Sequence, residues 1–202
     1  MSKKKIVLIG ATGTIGQGVA ARLSERYEIV TVGARSGQHQ ADIADIRQVE
    51  ALFDRIGKVD AVVVTAGALH FGPLAEITPQ QFRIGLDSKL MGQVNVAQVA
   101  QRFLNDGGSI TLTSGVLADS PIRYGAAATM TNAAVEAYVR GAAIELPRGL
   151  RINVVSPALL DESVEAYGDY FRGWETVPAK RVALAYERSV EGAQSGQVYK
   201  VV

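Results

Sequence analysis

Residues Lys5-Ile6-Val7-Leu8-Ile9 run without a break into Gly10-Ala11-Thr12-Gly13-Thr14-Ile15-Gly16, and this passage restricts the possible folds more than any other. A short apolar run that ends in glycines spaced by three, followed by helix-like sequence, reads as a buried strand, a tight turn and a helix N-terminus. Backbone N–H groups at such a terminus, with the helix dipole behind them, favour a pyrophosphate. Glycine suits these positions because a Cβ would block close approach of the backbone. A purely structural turn without a ligand is the competing reading. The placement after a strand, at the head of an alternating chain, favours the dinucleotide site.

The rest of the chain alternates in the same way. Apolar runs rich in Val and Ile at Lys5–Gly10, Glu28–Gly33, Val59–Thr65, Gly108–Ser114, Leu150–Val155 and Val198–Val202 have the character of strands buried on both faces. A short extra strand falls at Gln40–Ile43. Helical segments lie between them at Thr14–Arg26, Ile46–Gly57, Pro79–Leu104, Gly125–Leu146 and Pro178–Gly192. Thr78-Pro79 supplies an N-cap with proline at the first helical position, and Pro147 stops the helix ending at Leu146. Such repetition implies an α/β fold: a doubly wound parallel sheet with right-handed crossovers, in three α/β/α layers. No repeat, low-complexity stretch or linker interrupts it, so residues 1–202 are expected to form a single domain.

Composition narrows the class. The chain's 202 residues, 48% of them hydrophobic, suffice for one well-buried core. With 21 basic and 20 acidic side chains the net charge is +1, which selects neither nucleic acid nor an acidic membrane surface as partner. Lys3-Lys4-Lys5 reads as a solvated tail. The apolar run behind it is too short for a membrane span and is broken by Gly10 and Gly13, which also argues against a leader peptide. The absence of cysteine excludes disulfides, thiolate catalysis and cysteine-ligated zinc, and suits a cytoplasmic chain. Two histidines, His39 and His70, are too few for a metal site by themselves.

With these motifs in place the chain resembles the short-chain dehydrogenase/reductase superfamily. Four segments carry the likeness: the glycine turn; Thr65-Ala66-Gly67 after a strand; Gly108-Ser109-Ile110-Thr111-Leu112-Thr113-Ser114; and Glu145-Leu146 followed by Arg148-Gly149-Leu150-Arg151-Ile152-Asn153-Val154-Val155-Ser156-Pro157. The resemblance implies a Rossmann-fold NAD(P)-binding domain and a small carbonyl or alcohol substrate. It assigns the cofactor to Gly10, Thr12, Gly13, Thr14, Ile15, Gly16, Thr65, Ala66, Gly67 and Pro157, with Asp42 and Ile43 against the adenine. An NAD site places a carboxylate at the end of the second strand. Here that end reads Gly33-Ala34-Arg35-Ser36, so Arg35 and Ser36 are expected to hold a 2′-phosphate and NADP is favoured over NAD. Arg35 as a solvated loop charge is the plainer alternative.

The expected chemistry breaks the family pattern. Counting back from Glu145-Leu146, the usual Tyr falls at Ala128, the usual Lys at Asn132, and the usual Ser at Gly115, with Ser114 just before it. The helix that ordinarily carries an Asn places Lys89 there, as if Lys and Asn had exchanged helices. A partly desolvated Lys89 beside the nicotinamide ribose would have a depressed pKa and serve as proton donor; a Lys89 snorkelling to solvent is the alternative. Tyr124, one helical turn before Ala128, is the other candidate acid, and Ser114 and Asn132 complete the candidate catalytic set.

His70-Phe71 approaches the expected substrate mouth. Tyr167, Tyr170, Phe171 and Trp174 form an aromatic cluster where the family keeps its lid, suited either to an apolar substrate or to core packing. Two functions stay open: an NADP-dependent oxidoreductase with an atypical active site, and a catalytically silent NADP(H)-binding sensor or scaffold. The helix carrying Ala133, Ala134, Val135, Ala137, Val139, Ala142, Ala143 and Ile144 is apolar around its circumference, so a homodimer or homotetramer is expected.

Overall fold

The computed structural model describes residues 3–202. In chain order the elements are β1 (Lys5–Ile9), α1 (Thr14–Ser24), β2 (Glu28–Gly33), β3 (His39–Gln40), α2 (Ile46–Ile56), β4 (Val59–Val64), α3 (Pro79–Gly85), α4 (Gly92–Ala100), β5 (Leu104–Thr113), α5 (Ala126–Ala142), β6 (Arg151–Pro157), α6 (Val164–Tyr167), α7 (Ala179–Glu191) and β7 (Val198–Val201). The seven strands form one parallel sheet in the order β3-β2-β1-β4-β5-β6-β7. Strand order runs outward in both directions from the β1/β4 pair. Helices at that switch point cross to opposite faces, which opens a crevice at the C-terminal strand ends where ligands of such sheets bind.

Alternation along each strand feeds two cores. Val7 and Ile9 of β1 and Val62 and Val64 of β4 pack with Leu52, Phe53, Val96 and Val139 on the α2/α4/α5 face. Ile6, Leu8, Ala61 and Val63 pack with Val19, Leu23, Val182 and Tyr186 on the α1/α7 face. Burial on both faces is why these strands carry no polar alternation.

Several boundaries differ from the sequence reading. The helix expected over Pro79–Leu104 is α3, then a π-helical turn at Leu86–Met91, then α4, which ends at Ala100. Leu104 belongs to β5, paired with Val59, and the ladder shifts register before Ala61 pairs with Ser109. Helical spacing had claimed Leu104 because it is apolar, and the Asn105–Gly108 segment concealed the strand start. The helix expected to reach Leu146 ends regularly at Ala142, followed by a turn. The second helix boundary, Thr78, is capped as expected: Thr78 and Gln81 form a reciprocal capping box. The short third strand is His39–Gln40, slightly earlier than Gln40–Ile43. None of the described helices is long and apolar enough to cross a membrane.

Candidate active site

The glycine turn is built by packing as much as by any ligand. Gly10 has φ +88°, and a Cβ there would stand 2.7 Å from Thr65 Oγ1. That Thr65 hydroxyl reaches the Ile9 and Gly10 carbonyls at 3.1 Å, tying the end of β4 to the turn. At Gly16 a Cβ would run into the Gly10 carbonyl, so this glycine allows α1 to lie against the turn. Gly13 is different: it is the N-cap of α1, no side chain caps the helix there, and a Cβ would make only an ordinary 3.4 Å contact. Its missing side chain leaves open space at the helix N-terminus.

Beside the turn lies a hollow of about 310 Å³ lined by Gly10, Thr12, Arg35, Ser36, Asp42, Ile43, Ala66, Gly67 and Ser88 among others. Most residues assigned to cofactor binding from the sequence therefore converge on one crevice spanning β1, β2 and β4. Ser36 Oγ is 3.2 Å from Thr12 Oγ1, and the exposed Arg35 guanidinium has no ion-pair partner among the described residues. The Asp42 carboxylate accepts from the Ala44 N–H at 3.0 Å, capping its own loop. Buried Asn95 holds that loop through the Ile43 carbonyl at 3.0 Å, a support that sequence reading missed because a polar residue within a helix carries no local signal.

Gly67 also borders a second cavity of about 390 Å³, lined by Ile15, Lys89, Ser114, Asn132 and Pro157 together with an apolar wall. Lys89 sits in the π-helical turn, 8% exposed, and its Nζ donates to the Ser114 carbonyl at 3.0 Å. No carboxylate among the described residues pairs with it, and burial alone lowers its pKa from 10.5 to about 8. Its stem passes tightly over Gly67, which has φ +143°; a Cβ at that glycine would lie 2.7 Å from Lys89 Cβ. Asn132, 2% exposed, keeps Oδ1 without a hydrogen-bond partner among the described residues, and a Cβ at Gly115 would stand 3.3 Å from Asn132 Nδ2.

The Ser114 hydroxyl donates to Glu136 Oε1 at 2.8 Å, and Glu136 is itself only 4% exposed. Beneath it, Gln93 clamps both polar groups of the Thr113 peptide at 2.7 and 2.9 Å. Thr113 Oγ1 meets Tyr186 Oη at 2.6 Å, and burial pushes the Tyr186 phenol well above its ordinary range. Glu136 and Gln93 were not singled out in the sequence, although the one carboxylate of α5 was a usable signal. Lys89, Ser114 and Asn132 thus line one cavity, whereas Tyr124 does not join them. Tyr124 has φ +67°, is 36% exposed, lies under the Arg123 guanidinium at 4.8 Å, and lines a separate surface hollow with Ile122 and Met130. His70 does not line the Lys89 cavity.

Residues 10–191 match the family model described as Enoyl-(Acyl carrier protein) reductase, one of the short-chain dehydrogenase/reductase type. The chain belongs to the short-chain dehydrogenase/reductase family. Its relatives are named as oxidoreductases and reductases. An uncharacterized oxidoreductase of Methylorubrum extorquens is 30% identical over 76% of this chain and 72% of its own length. A hydroxynaphthalene reductase-like protein of Metarhizium brunneum is 29% identical over 78% of this chain and 68% of its own. Among solved structures, protein lin1944 of Listeria innocua is 46% identical with a TM-score of 0.97, covering 98% of this chain and 100% of that one. A small-chain dehydrogenase in complex with NADPH is 30% identical with a TM-score of 0.89, covering 99% and 97%.

Proposed function

We propose that this protein is an NADP-dependent oxidoreductase that interconverts a small carbonyl compound and its alcohol, with Lys89 in the place of the family's usual acid. The observation that carries the reading is a buried lysine, held by the Ser114 carbonyl and without a carboxylate partner among the described residues, whose ammonium shares a cavity with Asn132 Oδ1, itself without a hydrogen-bond partner among them. The residues present fit a nicotinamide dinucleotide. The open N-terminus of α1 and the Gly13 gap suit the pyrophosphate, Arg35 and Ser36 suit a 2′-phosphate, and Asn132 Oδ1 offers an acceptor to a hydroxyl. The 30% identical small-chain dehydrogenase in complex with NADPH supports the same choice. NADP(H), when bound, supplies or accepts the hydride.

The protein's own part is orientation and a proton. Held by the Ser114 carbonyl, Lys89 Nζ donates a proton to the carbonyl oxygen of the substrate as that oxygen gains charge, and the resulting amine is reprotonated from solvent. A lysine with a pKa near 8 suits this work at neutral pH. Purified protein given NADPH and a panel of carbonyl compounds should consume NADPH with at least one of them; no consumption with any would leave the second reading, a silent NADP(H)-binding sensor or scaffold. That second reading has one specific support, the commitment of the Ser114 hydroxyl to Glu136.

Tyr124→Phe should leave turnover within a few-fold of the parent protein, because its side chain lines a different hollow. A loss of more than about tenfold, on the scale of a removed acid, would return Tyr124 to the catalytic set. We read the protein as a cytoplasmic homodimer or homotetramer with a small-molecule substrate and neither nucleic acid nor membrane as partner. Met130, Ile84, Met91 and Leu74 are 40–68% exposed on and around α3, the π-helical turn and α5, an apolar surface suited to a second copy. Light scattering at micromolar concentration should give at least twice the 21.4 kDa chain mass.

A further inference from the structure

The substrate end of the Lys89 cavity has a composition of its own. Among the described residues Lys89 is the only charged one that lines it, and no Arg, His, Asp or Glu stands on the lining to neutralise or orient a charged substituent. Apart from Ser114, Asn132, Ser163 and Tyr167 its wall is apolar: Leu117, Leu159 and Phe171 form a small cluster separate from the two cores, with Leu69, Phe71 and Trp174 packed against it. Aromatic faces crowd this end. Phe71 lies 5.5 Å from Tyr170 and 6.1 Å from Tyr167 between ring centroids, and Phe171 meets Trp174 edge-on at 5.7 Å.

The wall is fixed in place and not draped. A parallel bridge joins Leu160 to Val177, closed by Asp161 N–H to the Val177 carbonyl and Val177 N–H to the Leu159 carbonyl, both at 3.0 Å. The Glu162 carboxylate then accepts from the Ala179 N–H at 3.0 Å, pinning the base of the excursion to the start of α7. The space is also limited, since about 390 Å³ includes the end bordered by Ile15, Gly67 and Pro157, toward the glycine turn.

Resting on the reductase reading above, we infer that the substrate is a compact, uncharged, apolar ring carbonyl compound of one or two fused rings, or the matching alcohol. Phe71, Tyr167 and Phe171 on the lining present ring faces and edges against which a flat ring packs. The several hydroxyls of a sugar-like substrate would be stripped of water against Leu69, Leu117, Leu159 and Phe171, with only Asn132, Ser163 and Tyr167 on the lining to replace part of it. A carboxylate would have Lys89 as its one cationic partner among the described residues, and pairing there would take the proposed proton donor away from the reacting carbonyl.

Trp174 is the sole tryptophan of the chain and touches Phe171, so its fluorescence reports occupancy of this end. Protein with and without NADP should be titrated with 1-tetralone, a carboxylated tetralone and glyceraldehyde, and NADPH consumption followed for each in parallel. The expected result is saturable quenching by 1-tetralone, binding of the carboxylated analogue at least about tenfold weaker, and a similar loss of 1-tetralone affinity in Phe71→Ala. Equal or tighter binding of the carboxylated probe by the unmodified protein overturns the inference, whatever the variant does. Glyceraldehyde reduction without any response to 1-tetralone overturns it too, while upholding the reductase reading. Saturable quenching by 1-tetralone with no NADPH consumed on any carbonyl does the reverse: the apolar site stands and the reductase reading falls.

Discussion

Lys89→Met should lower NADPH-dependent carbonyl reduction by about 10²- to 10⁴-fold, the usual effect of removing a positioned acid, and should at the same time make the protein more stable. Methionine keeps the stem that packs over Gly67 and removes only the ammonium. That ammonium is buried, is bound to a single carbonyl and has no carboxylate partner among the described residues, so its desolvation is not repaid. A melting temperature higher by several degrees is expected, at roughly 2–4 °C for each kcal/mol recovered in a chain of this size. The pH dependence has a definite sign. The native pKa of about 8 lies below the 10.5 of the unfolded chain. Between these values the unfolded state binds more protons, so stability rises with pH across that window. The penalty is fully present below about pH 8 and is relieved toward pH 10.5, and Lys89→Met should lose this dependence. Reduction by the parent protein should fall as pH climbs through about 8, because the donor deprotonates. Unchanged turnover in the variant, measured alongside a two-state thermal melt, would move the reading to the silent cofactor-binding alternative.

Arg35→Ala should remove most of the preference for NADP(H) over NAD(H), weakening NADP binding by about 10- to 100-fold, as expected for charge-assisted hydrogen bonds worth roughly 1.5–3 kcal/mol. NAD affinity should barely change, because a ribose 2′-hydroxyl carries no charge for the guanidinium to meet. Arg35 is exposed beside the hollow and its backbone carbonyl is held by Gln40 Nε2 at 3.3 Å, so the substitution should not disturb the fold. Ser36→Ala should have a smaller effect, since its hydroxyl already has Thr12 Oγ1 as a neighbour. Calorimetry with both cofactors decides it; equal affinities in the parent protein, or tighter NAD, would refute the assignment.

The parallel sheet was legible because strands buried on both faces must be apolar throughout, and helices between them must carry one apolar stripe. The glycine turn was legible because Gly10 and Gly16 are demanded by local backbone geometry, within a few residues of one another. Where local pattern ran out, so did the reading. Leu104 looked helical until its pairing with Val59 made it the first residue of β5. Tyr124 looked one turn from the site by residue count, yet its positive φ carries it to another surface.

The chain's own order of residues determined the fold class and the crevice at the β1/β4 switch point. It also determined which of the residues proposed to hold the cofactor cluster there, because each follows the end of a strand whose neighbours are set by topology. Only tertiary structure decided how Lys89, Ser114 and Asn132 meet, since they come from three elements separated by 25 and 18 residues and their contacts depend on packing between helices. Tertiary structure alone put the Ser114 hydroxyl on Glu136, left Asn132 Oδ1 without a partner among the described residues, and buried the Lys89 ammonium. Desolvation is a property of everything that surrounds a group, and no window of neighbouring sequence contains it.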